Sequence, residues 1–186
     1  MRARIQNSAD VGPDFGAVGG AGDLSALVGA LLRLGRDEEA LAVLTEARSL
    51  NPDEESGVVN MAIVLSHRER YREALTVLDE GHARFPDRPA TATLLARLLA
   101  SAPDPALRNG ARALRLAMVV YGREPSAAYA ETVALALAEL GRCDEAADWM
   151  RRGIAEATRV KSEADMARLA TELPKYTSAA CRPRVQ

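Results

Sequence analysis

One phrase is written almost twice in this chain. "LGRDEEALAVL" occupies residues 34–44 and "LGRCDEAADWM" residues 140–150, with a rougher copy, "HRERYREALTVL", at 67–78. An internal repeat constrains a fold more than composition does, because each copy must adopt one local structure and bury its apolar face on its neighbours. The alanines Ala40, Ala74 and Ala146 anchor the three phrases. Pro52 and Pro86 each lie 12 residues beyond an anchor, and counting back 12 from Pro125 gives a fourth anchor, Ala113. The anchors are then separated by 34, 39 and 33 residues.

Within each copy the apolar positions keep a helical period. Leu24, Leu27, Val28 and Leu31 fall at i, i+3, i+4 and i+7, as do Val58, Met61, Ala62 and Leu65. Ala92, Leu95, Ala96 and Leu99 repeat the pattern, and so do Ala130, Val133, Ala134 and Leu137. Each set marks one face of a first helix, and Ala40, Leu41, Leu44 and Ala47 mark the matching face of a second. Small anchors suit helices packed about 8–10 Å apart. Gly35 and Gly141 fall in the turns between helices, where a positive φ is cheap for glycine. Glu38, Glu39, Asp144 and Glu145 sit in first helical turns, where acidic groups suit the dipole.

A step of 34 residues, an anchor alanine and a late proline resemble the tetratricopeptide repeat. The large aromatics of that family's first helix are replaced here by Leu, Val or Ala. The resemblance covers residues 21–160 and implies an all-α, right-handed solenoid of about four helix-turn-helix units. We expect repeats at 21–54, 55–88, 89–126 and 127–160, a capping helix at 162–173, and thus one domain over 23–173. Ser162 is the expected N-cap of the capping helix, with Met166, Leu169, Ala170 and Leu173 as its apolar stripe. The third repeat carries an inserted turn, "SAPDPALRNG", at 101–110, in which Asp104 and Pro105 are expected to open the next helix. Residues 1–22, which include "GAVGGAGD", are too polar and glycine-rich to bury much and are expected to be disordered. Residues 174–186 are expected to form a flexible tail.

Composition excludes several functions. The 24 basic and 26 acidic residues leave a net charge of −2, against the basic stripe a nucleic-acid binder needs. Aromatics at 4% offer few stacking platforms. No stretch approaches the ~20 apolar residues of a membrane span, so neither nucleic acid nor membrane is an expected partner. Cys143 and Cys181 lack metal-type spacing and read as reduced thiols, which suits a cytoplasmic protein. No phosphate loop, zinc motif or nucleophile elbow occurs. His67 and His82 each end a helix, where an imidazolium is favourable. The expectation is therefore a non-enzyme with no catalytic, cofactor or metal residues. Trp149, one residue before a core position, reads as packing against the capping helix, with a binding hot spot as the alternative.

The resemblance also implies where a partner binds. In the family the first helices build a concave wall, which here presents Arg33, Val59, Ile63, His67, Thr93, Arg97, Glu131 and Leu135. The family's carboxylate-clamp receptors use Lys, Asn and Arg; Gly29, Val59 and Ile63 stand in that region, with only Arg97 surviving. An apolar middle with a charged rim suits a helix or an extended segment of another protein. The expected role is a bacterial protein–protein scaffold that holds a protein or peptide in this groove. The alternatives are an accessory subunit or detached domain of an enzyme complex, for example a glycosyltransferase or a biosynthetic assembly, and a self-associating module giving a homo-oligomer.

Overall fold

The computed structural model describes residues 21–177 and 181. Its helices are α1 (Ala21–Arg33), α2 (Asp37–Leu50), α3 (Glu55–His67), α4 (Tyr71–Arg84) and α5 (Pro89–Ser101). After a short 3-10 turn at Pro105–Leu107 come α6 (Gly110–Arg123), α7 (Ala127–Glu139), α8 (Cys143–Arg159), α9 (Glu163–Glu172) and α10 (Pro174–Thr177). No strand occurs among the described residues. Of the segment 1–22 expected to be disordered, residues 1–20 lie outside the described part of the chain, and residues 21–22 are instead the first residues of α1.

The helices pair as α1/α2, α3/α4, α5/α6 and α7/α8, and each pair packs on the next. All four anchor alanines are fully buried. Any larger side chain there would separate the two helices of a pair. Around them Leu44, Leu78, Leu95, Leu137 and Met150 have lost all contact with water. Each such side chain stabilises the fold by about 1.5–3 kcal/mol relative to exposure.

Three of the four second helices, α2, α4 and α8, share one local device. Arg36 donates two hydrogen bonds to Glu39, at 2.6 and 2.5 Å. Arg70 does the same to Glu73, at 2.7 and 2.7 Å, and Arg142 to Glu145, at 2.7 and 2.6 Å. The guanidinium holds each of these carboxyls below its ordinary range. Gly35 (φ 68°) and Gly141 (φ 72°) make the preceding turns, and Glu69 (φ 59°) takes the same conformation in the second copy. A non-glycine residue there costs about 1–2 kcal/mol.

Three expectations are corrected. Asp104 does cap a turn, accepting from the Ala106 N–H at 2.9 Å, but that turn is only the 3-10 segment. The helix itself begins at Gly110, capped by Asn109, whose Oδ1 accepts from the Arg112 N–H at 2.9 Å. Pro174 ends α9 but opens α10, and Tyr176 and Cys181 are buried, so this part of the tail is packed. Cys143 and Cys181 are not free thiols: they form a disulfide with Cα atoms 5.8 Å apart, within ordinary reach. The capping helix is present as α9, with Ser162 at its N-cap and Leu169 fully buried.

Candidate functional site

Successive first helices touch one another, α1 on α3, α3 on α5 and α5 on α7, whereas contacts between successive second helices are weaker. A stack whose first helices lie closer together curves toward them. The wall made by α1, α3, α5 and α7 is therefore the inner one.

The eight candidate residues do not form one continuous surface. On α1, α3 and α5 the wall is open. Arg33 and His67 are exposed at the ends of α1 and α3, Ile63 is 44% exposed and Val59 is half-buried. Asn60 donates to Ser25 at 3.0 Å and ties α1 to α3 across the floor. The Thr93 hydroxyl donates to its own helix at the Pro89 carbonyl (2.6 Å), so it presents mainly its methyl group.

Toward the C-terminal end the wall is occupied by its own charges. Glu131 of α7 is only 8% exposed. It accepts from Arg97 of α5 at 3.2 Å and from Arg168 of α9 at 2.8 Å. Arg168 also reaches Asp165 at 3.3 Å. The hydrogen bond to Glu131 raises the pKa of Arg168 above its ordinary value. Tyr176 of α10 feels the same carboxylate: burial first, then the charges of Glu131 and Glu172, push its phenol up to about 12. Leu135 is half-buried and packs on the core. Glu131 thus links the third and last repeats to the cap through Arg97 and Arg168.

Arg168 and Tyr176 were not legible as parts of this wall. The available signal was spacing. Arg97 meets Glu131 one repeat later, and Arg168 stands one further repeat on, so α9 behaves as the first helix of an incomplete fifth unit. Trp149 is also placed differently from expectation. It packs edge-on against Tyr121 of α6, with ring centroids 4.8 Å apart, and Arg152 lies over its face at 4.7 Å. The His67 and His82 imidazoles are both in the last turns of their helices.

Two clefts among the described residues lie away from this wall. One of about 570 Å³ sits at the ends of α1, α2 and α3, lined by Leu24, Val43, Leu50, Glu46 and Glu54. Another of about 520 Å³ lies between α4, the start of α5 and α6. None of the eight candidate residues lines either cleft. Among the described residues no group of three or more His, Cys, Asp or Glu is placed to hold a metal ion. No helix of the described residues is long and apolar enough to cross a membrane.

Residues 31–98 match the family model described as tetratricopeptide repeat. Among solved structures, TTC0263, a thermophilic TPR protein of Thermus thermophilus, is 16% identical and superposes with a TM-score of 0.69, covering 86% of this chain and 82% of that one. MamA from Desulfovibrio magneticus RS-1 is 19% identical, with a TM-score of 0.59 over 87% of this chain and 97% of its own. YrrB, described as a TPR protein with an unusual peptide-binding site, is 15% identical, with a TM-score of 0.54 over 87% of this chain and 89% of its own. These likenesses concern the fold. No curated protein matches the sequence.

Proposed function

Because this chain carries tetratricopeptide repeats and folds as their all-helical solenoid, we propose that it is a non-catalytic scaffold that holds a peptide or helix of another protein on its inner wall. The observation that carries this reading is the open half of that wall: Ile63 is 44% exposed at its centre, between Arg33 and His67, which have no ion-pair partner among the described residues. Ile63 and the half-buried Val59, one turn apart on α3, make an apolar strip on a concave surface, and such strips favour contact with a partner. The Arg97–Glu131–Arg168 bridge restricts binding to the first three repeats. The disulfide is a reason to place the protein where thiols are oxidised rather than in a reducing cytoplasm.

The test is peptide selection on the immobilised full chain, followed by titration of the recovered peptides. Ile63→Asp is expected to weaken them about tenfold or more, as loss of a central apolar anchor does. Arg115→Glu, on the opposite wall, is expected to leave them unchanged. Peptides that ignore both Ile63→Asp and His67→Ala would refute the assignment.

A further inference from the structure

Equivalent positions in the four copies should carry equivalent residues wherever the fold alone decides. On the outer wall the third copy departs from the others at several solvent-facing positions. One residue before the anchor stands Glu39, Glu73 or Glu145, but Arg112 in α6. Five residues beyond it stands Thr45, Asp79 or Arg151, but Met118 in α6; six beyond, Glu46, Glu80 or Arg152, but Val119. Met118 is 44% exposed and Val119 55%. Helix α6 holds three arginines and no acidic residue, whereas α2 holds four acidic residues and one arginine.

The helix needs none of these changes to fold. Polar or charged residues serve the other copies at these positions. In the third copy Asn109 replaces the clamping arginine and caps the helix. That frees Arg112 to cross to Asp79 of α4. Arg115, Val119 and Arg123 then fall at i, i+4 and i+8, forming one ridge. The ridge borders the cleft of about 520 Å³, whose floor includes Leu116, Ala92 and Pro89. Arg123 is neutralised by Asp87 at 2.8 Å. Arg115 and Arg88, on either side of the cleft, are exposed and have no ion-pair partner among the described residues. Glu124 is the remaining acid at its end. The equivalent cleft between α2 and α4 is lined by Thr45, Ser49, Glu54 and Glu80 together with Arg48 and Arg84, of which Arg84 is paired with Asp53 at 2.9 Å, and it exposes no large apolar side chain.

We propose that this face of α6 is a second docking surface, separate from the inner wall, and that it takes an acidic amphipathic helix of a partner protein. Apolar residues of the partner cover Val119 and Met118, and its carboxylates pair with Arg88 and Arg115. Apolar contact supplies the burial, and the unpaired arginines choose an acidic partner and fix its register.

The probe is a fluorescein-labelled 18-residue designed helix with Leu on one face and Glu elsewhere, titrated into the full chain by anisotropy. A Lys-for-Glu version serves as control. Saturable binding of the Glu peptide alone is expected. It should weaken about tenfold or more with Arg88→Glu plus Arg115→Glu, and similarly with Val119→Asp, since both replace exposed groups at an interface centre. Ile63→Asp should leave it intact, which separates this surface from the inner wall. Circular dichroism should show each variant as helical and as heat-stable as the parent. The proposal is overturned if the parent chain does not bind the Glu peptide, or binds the Lys version equally. It is overturned in favour of a lipid surface if only phosphatidylserine vesicles bind in an Arg88- and Arg115-dependent way. It is overturned in favour of a second copy if the parent sediments as an oligomer that the double arginine variant returns to monomer.

Discussion

Replacing Glu131 by Gln tests whether the charge bridge across the inner wall stabilises the fold. The substitution preserves shape and removes the carboxylate that accepts from Arg97 at 3.2 Å and Arg168 at 2.8 Å. A hydrogen bond to a charged group contributes about 1.5–3 kcal/mol when buried. Both guanidiniums are partly in water, with side chains 39% and 44% exposed. Solvent therefore screens the attraction and re-solvates the arginines once the carboxylate has gone. A neutral amide is also cheaper to bury than a carboxylate. These offsets reduce the expected loss to about 1–2 kcal/mol, or roughly 2–8 °C in melting temperature for a chain of this size. Thermal unfolding followed by circular dichroism reads it. A melting temperature that is unchanged or higher would refute the reasoning and would show that desolvation of Glu131 outweighs its pairing.

Two further outcomes follow from the cap. Tyrosine ionises near pH 10 when unfolded, while Tyr176 is pushed up to about 12. The stability this contributes is complete below pH ~10 and is lost as the pH rises toward 12, so Tyr176→Phe should flatten the alkaline fall in melting temperature. A spectrophotometric titration in which every tyrosine ionises near 10 would contradict it. The Cys143–Cys181 bond closes a loop with a sequence separation of 38, which corresponds to at most about 4 kcal/mol of chain entropy. Reduction should lower the melting temperature, and two thiols reacting with Ellman's reagent in the unreduced protein would refute the bond.

The fold was largely legible because its decisive positions allow few residue types. Ala40, Ala74, Ala113 and Ala146 stand where two helices touch, and all four are fully buried. The first-helix stripes are buried as their period requires; only Leu27 is partly exposed. What escaped was set by tertiary contact rather than by local pattern. Nothing near Tyr176 marks it as buried, since four residues of helix after a proline carry no period to read. The two cysteines meet only because α9 and α10 fold back along the last repeat. Glu131 reads as a wall carboxylate from its position, and only the depth of the cap turns it into a strut. Trp149 could face the cap or α6, and a single aromatic in a helix does not choose between them.

In a solenoid the copies act as controls for one another. A residue type shared at equivalent positions, such as the Arg–Glu clamp in copies one, two and four, shows what the repeat itself favours. A departure confined to one copy is therefore free of that explanation, and the third copy concentrates them. It has the longer turn before α6, Asn109 where the others place arginine, Arg112 where they place glutamate, and Met118 and Val119 where they place polar or charged residues. The inserted turn explains only the first two changes, because a different entry into the helix calls for a different cap. It lies at the opposite end of α6 from Val119, so the exposed apolar pair has no origin in the turn. Exposing such a pair gives the folded monomer nothing and raises its tendency to associate. On the docking surface proposed above, a partner helix covers the pair, and the unpaired arginines beside it favour an acidic cover.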